Sequence, residues 1–142
     1  MLIQTRDFGE MEIDEKDIIT FVEPIFGFED YRKYVLMEHE ELNPHFVWLQ
    51  STEEPMVCFV LANPRELVPD YEVRLPEDTA AALGEGGTLY FVLTVIRDPY
   101  YDSTVNLKSP VVINTQTGRA MQVILEEAYP IRQPLVQKEE EA

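Results

Sequence analysis

Apolar and polar positions along this chain fall into short alternating or continuous apolar runs separated by Gly, Pro, Asn and Asp, which is the pattern of strands and turns. The clearest signal lies between Ser103 and Leu125. There, Val111-Val112-Ile113 and Met121-Gln122-Val123-Ile124-Leu125 flank Asn114-Thr115-Gln116-Thr117-Gly118-Arg119. Gly118 can take the positive φ that closes a hairpin with a bulge, so a hairpin is predicted here. A second hairpin is predicted at the start, where Leu2 to Arg6 and Glu10 to Ile13 alternate about Phe8-Gly9. A third strand follows at Ile18 to Phe21. The loop Glu23-Pro24-Ile25-Phe26-Gly27-Phe28 carries breakers together with apolar side chains. It either caps one end of the core or forms an exposed contact surface.

Phe28 to Tyr34 can make a single helical turn before a strand at Tyr34 to Glu38. Phe46 to Ser51 and Val57 to Leu61 read as an antiparallel pair, and their near-continuous apolar character predicts burial on both faces. Trp48, the single tryptophan, is expected in the core. The stretch 63–76 holds three prolines and suits an edge strand or an ordered loop. One helix is predicted over Pro76 to Gly84, with Pro and two acids in its first turn, alanines in its body and glycine as its stop. A long strand follows at Thr88 to Ile96. Beyond Leu125, two prolines and alternating apolar residues give an extended arm, and 137–142 is an acidic tail expected to fray. About nine short strands at this spacing predict a mostly β protein: a small antiparallel β-barrel or sandwich with one or two short helices, formed as a single domain over 1–136.

Composition narrows the function more than the fold. A chain of 142 residues suffices for one core, and its 45% hydrophobic content is that of a globular domain. Its 27 acids against 11 Lys and Arg give a net charge of -16, which repels nucleic acid and anionic lipid and favours a basic protein partner. Residues 103–125 break that trend, with Lys108 and Arg119 their only charged side chains. One cysteine, Cys58, excludes an internal disulfide and sits in an apolar run, as a buried inert thiol would. The N-terminus has no basic-then-apolar leader and no run reaches spanning length, so a cytoplasmic location is expected.

Candidate chemistry is sparse. The two histidines, His39 and His45, lie in an acid-rich polar loop whose spacing matches no known metal site, so no metal and no cofactor are expected. Cys58 has no basic neighbour in sequence to lower its pKa, and the glycines at 84, 86 and 87 follow a helix rather than open one, unlike a phosphate loop. The sequence argues against an enzyme.

Several stretches, taken in order, resemble the flagellar assembly factor FliW family. They are Phe8-Gly9-Glu10-Met11-Glu12-Ile13, Asp17 to Phe21, Gly27-Phe28-Glu29, Trp48-Leu49-Gln50-Ser51, Pro69-Asp70-Tyr71 with Leu75-Pro76, and Thr104 to Asn114. The resemblance runs from Met1 to about Leu135. It implies a barrel-like, non-enzymatic regulator that binds the RNA-binding repressor CsrA and relieves repression of flagellin synthesis, with flagellin as the competing partner. The alternative is a chaperone-like factor that holds flagellin in an apolar groove. Acid-rich segments are the candidates for steering a basic partner: Glu53 and Glu54, Glu77 and Asp78, and above all Asp70, Tyr71 and Glu72. Asn106, Leu107, Lys108 and Pro110, at the entry to the main hairpin, are the candidates for a neutral or helical ligand.

Overall fold

The computed structural model describes residues 1–38, 46–97 and 102–135. The predicted tail at 137–142 and both histidines lie outside them. Among the described residues, β1 (Leu2–Thr5) and β2 (Gly9–Glu12) form an antiparallel hairpin with Gly9 at φ +67°. After a short 3-10 turn come β3 (Ile19–Phe21), β4 (Lys33–Glu38), β5 (Phe46–Ser51) and β6 (Cys58–Ala62). Two helices follow, α1 (Pro64–Leu67) and α2 (Glu77–Leu83). The rest is β7 (Thr88–Val95), β8 (Thr104–Val105), β9 (Val111–Asn114), β10 (Arg119–Gln122) and β11 (Gln133–Pro134).

Seven of these strands close on themselves in the order β3-β4-β5-β6-β7-β9-β10, because β7 pairs with β9 as well as with β6. This is the predicted barrel. One seam departs from the antiparallel expectation: β10 runs parallel to β3, with Ala120 opposite Phe21. The departure follows from closure, since β10 is the far arm of the predicted main hairpin and meets β3 in the same sense.

Strand alternation builds two cores from one set of strands. Inward residues, among them Phe21, Tyr34, Leu49, Leu61, Val111, Ile113 and Ala120, fill the lumen. Their neighbours Phe46, Ala62, Val92 and Val112 face outward, where segment 67–83 and the C-terminal arm cover them. The N-terminal hairpin covers a third patch, setting Ile3 against Val35 and Met37, with Phe8 edge-on to Trp48 at 5.4 Å. Strands buried on both sides need no polar face, hence the continuous apolar runs in β5 and β6. Trp48 is half-buried between two of these layers, as a core residue.

Local chemistry explains the elements that the pattern misplaced. In place of the helical turn over Phe28–Tyr34 there are two tight turns, Phe28 N to Ile25 O at 2.8 Å and Tyr31 N to Phe28 O at 3.1 Å. They aim both rings at the lumen cluster. The apolar loop before them divides its roles: Ile25 is buried as a plug, whereas Phe26 is 52% exposed. At 63–76 the segment opens with α1, because Asn63 Oδ1 caps Arg65 N–H at 3.0 Å and Pro64 presets the first helical φ. The main hairpin turn also caps α2. Arg119 donates to Ala82 O, Thr117 Oγ1 to Leu83 O, and Asn114 Nδ2 to Gly84 O and Glu85 O. Gly84 sits at φ +88°, where a Cβ would also lie 2.8 Å from Thr117 Cγ2.

Asn114 is fully buried and its Oδ1 also accepts from Gln116 N and Thr117 N, whereas the fully buried Tyr34 hydroxyl has no hydrogen-bond partner. Removing the first should therefore cost more than removing the second. Asn114→Ala is expected to lower unfolding free energy by about 1–3 kcal/mol and Tyr34→Phe to leave it unchanged or raise it, both read by urea titration. Burial pushes the Tyr34 pKa up to about 12 from its usual 10. Its contribution is thus complete below pH 10 and lost as pH rises towards 12, so Tyr34→Phe should flatten that part of the stability profile.

Candidate partner-binding surface

β8 and β9 run along the same edge of β7 but out of register with each other. Val105 faces Thr94 and Val111 faces Phe91, so β7 spends residues 92–93 where the facing chain spends 106–110. The surplus is a wide bulge in the wall of the barrel. It drives Leu107, Ser109 and Pro110 into the interior and leaves Asn106 and Lys108 half-buried at the surface.

A buried irregular segment must find a partner for each main-chain group. Asn106 N–H donates to Leu93 O at 2.9 Å and Leu107 N–H to Pro130 O at 3.0 Å. Lys108 and Ser109 N–H both go to Asn106 Oδ1, at 3.1 Å each. On the acceptor side, Leu107 O takes the Tyr71 hydroxyl at 2.6 Å, and Ser109 O takes Gln122 Nε2 at 3.1 Å. Lys108 O and Pro110 O take the N–H groups of Leu125 and Val123.

These bonds assemble three segments distant in sequence. Tyr71 brings loop 68–75 to the bulge, and its ring lies 4.6 Å from that of Tyr129 on the arm. The Tyr129 hydroxyl accepts Glu72 N–H at 3.3 Å. Lys108 Nζ donates to Glu127 O at 2.8 Å, a second tie to the arm. Leu135 N–H to Ser103 O and the β11–β8 pair hold the arm's far end. The predicted arm along the domain is therefore present.

The structure thus joins two of the four predicted groups, Asp70-Tyr71-Glu72 and Asn106-Lys108-Pro110, on one surface, while Glu77 and Asp78 lie exposed in the first turn of α2. Asp70 and Glu72 are exposed there, with Glu72 in a surface ion pair to Arg74 at 3.4 Å. Tyr71 is 1% exposed and Pro110 is buried, so neither offers side-chain area to a partner. As placed, both hold the surface rather than form it, because an aromatic ring and a proline in a wall bulge are most stable against the outer core. The fourth group stands apart. Glu53 and Glu54 occupy the β5–β6 turn, at the other end of those strands from Asn63, where the acidic loop departs. Glu53 Oε1 accepts Arg32 N–H at 2.8 Å and Lys33 N–H at 2.9 Å, and those bonds hold its carboxyl below the usual range. Its contribution is present above the ordinary glutamate range and fades as pH falls.

Tyr129 and Gln122 belong to this surface and escaped the sequence reading. A lone amide inside the apolar run after Ala120 was the available signal for Gln122. Other chemistry is muted. Burial pushes the Cys58 thiol up to about 11, against the opposing pull of Arg6, whose guanidinium donates to Cys58 O at 2.8 Å. Among the described residues no group of His, Cys, Asp and Glu could hold a metal ion, and no helix is long and apolar enough to cross a membrane. The histidine loop falls outside them.

Fold and surface together define a class: a seven-stranded barrel whose wall bulge, acidic loop and arm form a composite loop surface fixed by buried tyrosine and amide bonds. A profile of the FliW protein family matches residues 2–135. A flagellar assembly factor FliW of Exiguobacterium sp. is 43% identical over 139 residues, covering 95% of this chain and 94% of that protein. Another, from Caldicellulosiruptor saccharolyticus, is 39% identical over 135 residues, covering 92% and 88%. A crystal structure of the flagellar assembly factor FliW superposes with a TM-score of 0.90 at 34% identity, covering 97% of this chain and 99% of that one. The chain belongs to the FliW family of flagellar assembly factors.

Tyr71→Phe removes the phenol that satisfies Leu107 O and is expected to cost about 1–3 kcal/mol in denaturant unfolding. Loss of less than the error of that measurement would detach Tyr71 from the bulge. Cys58 should resist iodoacetamide at pH 8 in the native protein and react once the chain is unfolded in urea, as mass spectrometry would report.

Proposed function

We propose that this protein is a cytoplasmic, non-enzymatic regulator that binds the translational repressor CsrA and so relieves repression of flagellin synthesis, with flagellin competing for it. The observation that carries this reading is the acidic loop of Asp70 and Glu72, clamped through Tyr71 to the bulge on a chain of net charge -16. An RNA-binding repressor is basic where it meets phosphate. An acidic partner held in fixed geometry is steered to such a surface and disfavours RNA beside it, without needing to cover the RNA site. Holding the loop in place also lowers the ordering cost of binding.

The competing ligand suits the neighbouring bulge. Ile124 and Ile131 are 64% and 63% exposed, and each adjoins a residue whose main chain bonds the bulge, Leu125 to Lys108 and Pro130 to Leu107. Two exposed isoleucines beside an acid-free segment fit the apolar stripe of a flagellin helix. Adjacency to the acidic loop then accounts for exchange. The chaperone-like alternative draws on the same isoleucines but needs no effect on the repressor.

A gel-shift titration separates the readings: the protein should dissociate the repressor–RNA complex without binding RNA itself, and an intact complex at saturating protein overturns the proposal. Asp70→Lys with Glu72→Lys should slow association with the repressor by about tenfold at low salt, a difference that narrows at high salt. Ile131→Gln, which adds no charge, should weaken a flagellin helix peptide while leaving the repressor association rate unchanged.

A further inference from the structure

β6 accompanies β7 only as far as Ala62 opposite Val92, and Pro64 then turns the chain into α1. The first half of β7, Thr88–Phe91, keeps β9 on one edge, while the other edge meets no strand among the described residues. Main-chain direction follows from alternation. Asn106 N–H donates to Leu93 O, so Leu93, Phe91 and Leu89 direct their main-chain groups to the β8 and β9 side. Thr94 and Val92 direct theirs to β6, and Tyr90 directs its N–H and C=O to the position that β6 has left.

At that position lies a cleft of about 230 Å³ lined by Asn63, Pro64, Arg65 and Thr88–Phe91. Its floor is a strand edge and its wall is the start of α1, which packs beside β7. Among the described residues, Arg65 is the one charged residue of the lining, in a chain where acids outnumber cations 27 to 11. Its side chain is exposed, and its Nε donates to Tyr71 O at 3.3 Å. Leu89, 42% exposed, supplies apolar area at the mouth.

We propose that the β7 edge at Tyr90 is a strand-addition site, which takes an extended peptide segment of a partner protein carrying an acidic side chain beside Arg65. A strand edge that no described strand covers selects an extended backbone, because one residue of the added strand can satisfy both the N–H and the C=O of Tyr90. An added strand rises about 3.3 Å per residue, as β7 does, so about four of its residues span the four-residue edge. The charge of the lining selects an acidic side chain locally, although the whole protein repels acidic chains, so the preference is for one acid among neutral residues.

The test uses two blocked pentapeptides, Thr-Val-Glu-Val-Thr and Thr-Val-Lys-Val-Thr, titrated into the full chain and followed by nitrogen–proton correlation spectra. The Tyr90 and Thr88 amides should shift with the Glu peptide, and the Lys peptide should bind about two- to fivefold more weakly, the scale of one exposed ion pair. Arg65→Glu should invert that order, and N-methylation of alternate peptide amides should abolish binding. The proposal is overturned if the Tyr90 amide of the free protein exchanges as slowly as that of Val92, if the shifts fall elsewhere, or if the N-methylated peptide binds equally well.

Discussion

Most of this structure's arrangement depends on one requirement: a five-residue bulge buried in a barrel wall must have its polar main chain satisfied from outside the ladder. An unpaired amide or carbonyl in that position costs about as much as any single interaction in the molecule can supply. Beside Leu93 of β7 and the Asn106 side chain, the donors and acceptors come from the acidic loop, the C-terminal arm, β10 and the residues just after it, so those segments dock where the bulge needs them. The composite loop surface follows from that demand. Its acidic residues are exposed because Tyr71 beside them is not.

The same economy appears at the other buried polar side chains. Gln50 accepts Arg6 N–H and donates to Ser51 O and Pro55 O, tying the N-terminal hairpin to the barrel and the β5–β6 turn to itself. Gln122 joins the apolar loop at Phe26 to the bulge at Ser109, and Asn114 joins the hairpin turn to the end of α2. Each amide has both donors and an acceptor, so one side chain can bridge two irregular segments. Satisfied in this way, polar groups fix where the loops sit relative to the strands.

Elements encoded within a few residues were legible in the sequence. Both hairpins, α2 and the two-sided burial of β5 and β6 could be read from glycine placement, caps and apolar runs. What the chain hid was long-range. Nothing near Leu107 announces that Tyr71 will bond its carbonyl, and a period-two reading passes over a bulge because the apolar residues on either side keep their spacing. The three prolines of 63–76 suggest an edge strand or a loop, whereas Asn63 before Pro64 makes it a helix start. Asp70 and Glu72 were readable as surface because charge resists burial; Tyr71 between them was not, because a tyrosine can face either way until its hydroxyl finds an acceptor.

The parallel seam between β3 and β10 constrains the order of events in the life of the chain. Phe21 meets Ala120 across it, so the barrel has no closed form until nearly the whole domain has left the ribosome. The hairpins can form early from local contacts, whereas the seam waits on a loop closure spanning most of the sequence, the step that makes non-local β folds slow. Until then β4 to β6 present apolar side chains on both faces and an open edge at β3. The barrel is thus without its lumen until Ala120 is free to meet Phe21.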